Sequence, residues 1–294
     1  MQRVGVMVHP TRPVEDALDV LRRWVDARGL ELVQIPSGEQ PFVAPRGEVS
    51  ACDLITALGG DGTILKALHA AARTATPVMG VAYGSVGALT SVPQGELRVG
   101  LDRFAAGSWF AQELPALVAS TADGHRARAI NDFVLTRHGG MQLGVDVFID
   151  RDLYVRLAGD GIVVATPLGS SAYSMAAGGP LLAAGARAFV CTTLAMHGGS
   201  APPVVVADDR EVTLQVHPGH GGFNVEVDGF ELAPVTERFA VKCERPYVTL
   251  VALDESYGGV ARLRERGLIS DSPRVLARGG RALDVQLGAE SMPR

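Results

Sequence analysis

Short apolar runs and helically spaced apolar residues alternate over the first third of the chain. Residues 4–8 form a run of the kind seen in a strand buried on both faces. Val14, Leu18, Leu21, Val25 and Arg28 then recur at helical spacing, with Pro13 near the start and Gly29 just past the end, which predicts a helix. Residues 31–35 resume a strand, and 53–58 give another, stopped by Gly59-Gly60. Residues 63–73 read as a helix with Ile64, Leu65 and Leu68 on one side, and 77–83 as one more strand. This rhythm predicts a Rossmann-like parallel sheet covered by helices, an α/β domain over residues 1–100.

Beyond about residue 100 the period changes. Short strand-like runs cover 129–136, 144–149, 154–157, 162–165, 189–194, 204–207, 212–217, 223–227, 239–242 and 248–253, punctuated by Gly, Pro and Asp. So many short strands predict an all-β domain over 101–254. A helical return at about 255–268 is expected to pack back on the first domain. The tail, 270–294, is rich in Gly, Ser, Pro and Arg and is expected to be disordered.

Composition narrows the classes. Of 294 residues, 47% are apolar and 20% charged, enough for a substantial core and unlike a disordered chain. The net charge of −5 argues against nucleic acid or an anionic membrane as a partner held by bulk electrostatics. Cys52, Cys191 and Cys243 are far apart and odd in number, and read as buried free thiols in a reducing compartment. With no secretory pattern at the start and no uninterrupted apolar stretch of spanning length, the expected location is the cytoplasm.

Two segments carry candidate chemistry. Gly59-Gly60-Asp61-Gly62-Thr63 lies between a predicted strand and a predicted helix. Its amides and the helix N-terminus suit phosphate oxygens. Asp61 then either deprotonates a hydroxyl or holds a Mg²⁺ that bridges phosphates. The plainer alternative is a glycine turn whose Asp caps the helix. The second segment, 160–180, is a short apolar strand, a Thr166-Pro167 turn, a run of small and hydroxyl residues with Tyr173, and Gly178-Gly179-Pro180. It offers donors with little bulk, which suits a nucleotide, although alone it reads equally as a packing segment. No Gly-x-x-x-x-Gly-Lys-Ser/Thr is present, and no Gly-x-Gly-x-x-Gly follows the first strand.

Gly59 to Thr63, together with Asp160-Gly161, Thr166-Pro167-x-Gly169-Ser170-x-Ala172-Tyr173 and Gly178-Gly179-Pro180, resembles the NAD kinases. Asn131-Asp132 resembles that family's Asn-Glu pair, Val225 to Gly229 its late strand ending in Asp-Gly, and Tyr257 with Leu263 to Arg266 its closing helix. The resemblance runs from about residue 4 to about 268. It implies an α/β domain and a β-rich domain with the active site in the cleft between them. It implies ATP as phosphate donor (some members also use polyphosphate), Mg²⁺ or another divalent cation, small-molecule nucleotides as partners, and a homodimer or homotetramer. Asp61 would be the base for the acceptor's adenosine ribose 2′-hydroxyl, and Gly59, Gly60, Gly62 and Thr63 would hold phosphates. Asn131 and Asp132 would hold the acceptor's ribose hydroxyls or adenine, and Asp160 the nicotinamide side. Thr166, Ser170, Ser171, Ala172 and Tyr173 would bind the acceptor, with Tyr173 and the adjacent backbone lining the adenine pocket.

Departures cluster on the acceptor side. Gly84-Ser85-Val86-Gly87-Ala88-Leu89-Thr90 stands where the family usually has Asn-Leu-Gly-Phe-Leu-Thr, so an aromatic is missing at Ala88. Leu168 replaces a Thr or Ser and Ala176 often a Ser, prolines are lost at Thr193 and Met196, and Pro202 stands where an Arg is common. These changes keep two other readings open: the same kinase core acting on a different nucleotide, nucleoside or polyol, and a non-catalytic dinucleotide-binding module. His217 and His220 lack a third ligand nearby and are not read as a metal site, His9 reads as a solvated loop residue, and His197 as structural.

Overall fold

The computed structural model describes all residues except 39, 84–86, 220, 234–235, 255–259 and 275–294. The Gly84 to Val86 part of the departing loop, His220, Tyr257 and most of the tail therefore lie outside the described residues.

The first third follows its apolar periodicity. β1 (Arg3–Val8), β2 (Glu31–Gln34), β3 (Leu54–Gly59) and β4 (Val78–Ala82) pair in parallel in the order β2-β1-β3-β4. β3 and β4 are buried at every residue, as central parallel strands with both faces covered require. α1 (Glu15–Asp26) turns Ala17, Leu18, Leu21, Trp24 and Val25 inward, with Glu15 and Asp16 in its first turn and Arg23 in its last, the polarity its dipole favours. α2 (Asp61–Ala71) buries Ile64, Leu65, Ala67 and Leu68 against the sheet. The order places a topological switch point between β1 and β3, where ligands enter open α/β sheets.

A short β5 (Val92–Pro93) on β4 and α3 (Leu97–Ala105) lead into β6 (Phe110–Ser120) and β7 (Arg126–Ala129). Then come β8 (Asp132–Arg137), β9 (Leu143–Ile149), β10 (Asp152–Gly159) and β11 (Gly161–Ala165), followed by α4 (Tyr173–Ala176). The remaining strands are β12 (Ala188–Leu194), β13 (Val204–Ala207), β14 (Glu211–His217), β15 (Phe223–Val227), β16 (Phe230–Leu232) and β17 (Arg238–Ala252), and α5 (Val260–Glu265) closes the described chain.

Among the described residues the strands form two sheets. One is antiparallel, in the order β13-β12-β11-β8-β15-β16. The other is mixed and runs β10-β9-β14-β17-β4-β3-β1-β2, with β6 on β17 and β7 on β6. The two sheets sandwich a core containing Phe133, Leu135 and Val164 from one, and Val145, Leu214 and Val241 from the other. Phe239 contacts Phe133 at 5.4 Å between ring centroids.

β17 is the long surprise. The runs at 239–242 and 248–253 are one strand, with its register shifting between Glu244 and Val248. Its first half lines the sandwich core, while Val248, Leu250 and Ala252 pack with Ile64, Leu68 and Ile130 behind α2. The run at 129–136, in contrast, is two strands in different sheets, broken at Ile130-Asn131.

Candidate active site

The switch point is lined by the loop after β1 and the loop after β3. In the first, His9 Nδ1 accepts the N–H groups of Thr11 (3.2 Å) and Arg12 (3.0 Å), so its ring proton sits on Nε2. Burial, then Arg12 and Lys66, lower its pKa and favour this neutral form. His9 therefore shapes the loop rather than standing free in solvent. That loop aims Arg12 at the carbonyl of Tyr83 and over Gly60, where an added Cβ would lie 3.5 Å from Nη1.

The glycines of the second loop differ in why they are glycine. A Cβ at Gly59 would run into Thr63, 2.7 Å from its Cβ, so that residue is required by packing. Gly62 would meet nothing within 4 Å and its φ is not positive. Neither contact nor conformation explains Gly62, which exposes helix amides at the N-terminus of α2 to whatever approaches.

Asp61 is the first residue of α2, and the N-cap is Gly60, with no side-chain capping bond. The carboxylate instead reaches sideways. Oδ2 accepts the N–H of Ala88 at 2.9 Å and Oδ1 that of Leu89 at 3.1 Å. Gly87 passes so close that any Cβ would collide with the Asp61 carboxylate. Helix capping is therefore not what Asp61 does.

Ala88 is also a wall of a cleft of about 330 Å³, shared with Pro167, Leu168 and Ser171. The Thr166-Pro167 turn carries these residues. Thr166 N donates to the Asn131 carbonyl (2.9 Å) and its Oγ1 to that of Ile130 (2.6 Å). Gly169 lies against Asn131, whose Cα would be 2.8 Å from an added Cβ. Thr166 and Ser170 are fully buried, and Ser170 Oγ bonds Pro167 O (2.7 Å) and Leu182 N (2.9 Å). These two hydroxyls build the turn and do not face the cleft. Ser171 lines the cleft, while Ala172 and Tyr173 are exposed.

Asn131 lies in the break between β7 and β8 and Asp132 opens β8, and the break has one cause. The fully buried carboxylate of Asp228 accepts the N–H groups of Ile130 (2.8 Å), Asn131 (2.7 Å) and Asp132 (3.0 Å), and His69 Nε2 from α2 at 2.6 Å. Asp228 can do this because it and Gly229 sit at positive φ (52° and 76°) in the two-residue turn joining β15 to β16. The Asn131 and Asp132 side chains make no hydrogen bond among the described residues. Asp132 is only 6% exposed, and burial, followed by Asp228 and Glu226, pushes its carboxyl up to about 7. Tyr173, whose hydroxyl is raised by burial and by Glu226, Asp160 and Asp132, shares that field. Asp160 is half exposed and paired with Arg137 Nε at 2.5 Å.

Arg12, His69 and Asp228 are the contributors that sequence reading did not assign to the site. The Asp228-Gly229 pair signals a hairpin turn, but nothing local says where its carboxylate points.

The glycine loop thus offers amides and a carboxylate at a helix start, and the 131–132 and 166–173 segments offer unpaired hydrogen-bonding groups beside small residues. The cleft itself is lined by Ala88, Leu168 and Ser171 and not by Asp61, Asn131, Asp132 or Asp160. This is the make-up of a two-domain nucleotide phosphotransferase whose glycine loop follows β3. Residues 43–109 match the ATP-NAD kinase N-terminal domain and 130–249 the ATP-NAD kinase C-terminal domain. The chain is 31% identical over 263 residues to the NAD kinase of Chlorobaculum tepidum, covering 85% of this chain and 91% of that protein. It is 31% identical to that of Moorella thermoacetica, covering 78% and 77%. Its 36% identity to the Neisseria meningitidis NAD kinase covers 60% of this chain and 62% of the relative's length. The chain belongs to the NAD kinase family. Solved structures share the fold. Yeast NADH kinase complexed with NADH has a TM-score of 0.79 at 21% identity, covering 92% of this chain and 89% of that one. An Archaeoglobus fulgidus NAD kinase in complex with ATP has a TM-score of 0.75 at 20% identity, covering 92% and 100%.

Proposed function

We infer that the protein phosphorylates the adenosine ribose 2′-hydroxyl of NAD with ATP, giving NADP. The observation that carries this reading is Asp61, fixed by the Ala88 and Leu89 amides beside a Gly62 that its own fold does not require. The helix N-terminus and Gly60 to Thr63 hold the phosphates of ATP. Asp61 takes the proton as the ribose oxygen bonds to the γ-phosphorus and ADP leaves with the electrons of the broken P–O bond. Asn131 and Asp132 hold acceptor hydroxyls, Asp160 lies toward the nicotinamide end, and Ser171, Ala172 and Tyr173 line the adenine pocket. The fully buried Thr166 and Ser170 support that pocket from beneath.

Among the described residues no three His, Cys, Asp or Glu side chains gather as a metal site. A Mg²⁺ ion would be held by the ATP phosphates together with Asp61, the acidic residue of the glycine loop, and would neutralise phosphate charge. A homodimer or homotetramer is part of the same proposal, supported by exposed Val205, Phe230 and Leu232 on edge strands β13 and β16 and tested by light scattering. So is a cytoplasmic location; no described helix is long and apolar enough to cross a membrane.

The test is NADP formation from NAD, ATP and Mg²⁺ by the wild-type protein and by Asp61→Asn. The substitution nearly keeps the shape but removes the proton acceptor. Its NH2 group cannot accept one of the Ala88 and Leu89 N–H groups, so ATP affinity is measured beside turnover. Turnover should fall at least about a hundredfold, with ATP affinity within a few-fold. Near-normal turnover in the variant would overturn the role of Asp61, and no NADP from wild type would overturn the activity.

A further inference from the structure

A second cavity, of about 640 Å³, opens at the other end of α2. Its wall carries three arginines, Arg73, Arg126 and Arg128, with His69, Glu244 and Tyr247. Arg73 follows the last turn of α2, where a cation is favoured by the helix dipole. Arg126 and Arg128 have no such reason. They stand two residues apart on β7 and so project from the same face of the sheet. Glu244 pairs with Arg128 at 3.0 Å. Arg73 and Arg126 have no ion-pair partner among the described residues. On the wall itself three guanidinium groups stand against one carboxylate, with the buried Asp228 carboxylate behind His69 as the second, so positive charge remains in excess around one cavity in a chain whose net charge is −5.

We propose that this cavity is a second anion-binding site, taking a compact polyanion such as a diphosphate group. Guanidinium forks match phosphate oxygens two at a time, and Arg73 and Arg126 have no carboxylate paired with them among the described residues to compete for that role. The volume lies in the range of small-molecule sites. The site is separate from the glycine loop: His69 is eight residues beyond Asp61, about 12 Å along the helix axis.

Calorimetric titration of the intact, magnesium-free protein with inorganic pyrophosphate, and in a parallel arm with ADP, tests the site without reference to kinase activity. Wild type should bind pyrophosphate at this cavity, whether or not the glycine loop binds it as well. Arg73→Gln combined with Arg126→Gln should weaken that binding at least tenfold while kcat and KM for NAD stay within twofold. Arg126→Glu should abolish that binding. Tighter binding of ADP than of pyrophosphate at the arginine-dependent site marks a nucleotide ligand, and equal or weaker binding marks a free phosphate compound. Pyrophosphate binding that is absent from wild type, or that is unchanged in both arginine variants, overturns the proposal.

Discussion

Asp132 ties the start of β8 to a measurable property of the fold. Burial, then the neighbouring carboxylates of Asp228 and Glu226, push its carboxyl up to about 7 from an ordinary value of 3.8. An acid raised on folding keeps its proton longer in the native state. The native state therefore binds more protons between about pH 4 and 7, and stability falls as pH rises through that window. Asp132→Asn should flatten this slope and raise stability at pH 8 by on the order of 2–4 kcal/mol, since each unit is worth about 1.4 kcal/mol. Denaturant titrations of both proteins at pH 5 and 8 check this; parallel losses would show that Asp132 is not the group responsible. The polar pair Asn131-Asp132 was legible in the sequence. Its environment was not, because the carboxylates that act on it belong to β15 and the turn after it, nearly a hundred residues away.

Among the elements, the loop from β3 to α2 separates what the fold needs from what a ligand needs. Gly59→Ala places a methyl group against Thr63 and should destabilise by about 1–3 kcal/mol. Gly62→Ala meets open space in a helical first turn and should leave stability unchanged or raise it by about 0.4–1 kcal/mol. If amides there receive phosphate, the same variant should bind ATP more weakly and turn over more slowly. Thermal melts beside ATP titrations decide it, and an unaltered ATP affinity would remove Gly62 from the phosphate site. The βαβ elements around this loop were legible because their burial is two-sided and local. β6 was not: Pro115 interrupts its sequence and demotes it as a strand. α3 is short and contains Gly100, which hides its period. The run at 129–136 read as one strand because apolar residues lie on both sides of Ile130-Asn131, while the break is made by Asp228.

At the scale of the molecule, β6 and β17 tie the α/β core to the sandwich. Both strands place residues in each core: Leu114 and Leu117 from β6, Leu250 and Val241 from β17. Division at residues 101 and 254 describes motif content, whereas the hydrogen-bonded sheet is continuous across it. Calorimetry should accordingly show one unfolding transition. Two resolved peaks would mean that the shared strands do not couple the cores. Asp228 adds a second tie, since it holds α2 through His69 and the 130–132 turn through three amides. Backbone N–H groups that lead into a cleft ordinarily trade their hydrogens with solvent quickly. Those of Ile130 and Asn131 end on a carboxylate with no solvent exposure, so their release requires the two cores to part. In deuterium oxide they should persist as long as amides in the middle of β17. In Asp228→Asn they should be lost early, making this short turn a timer for global opening.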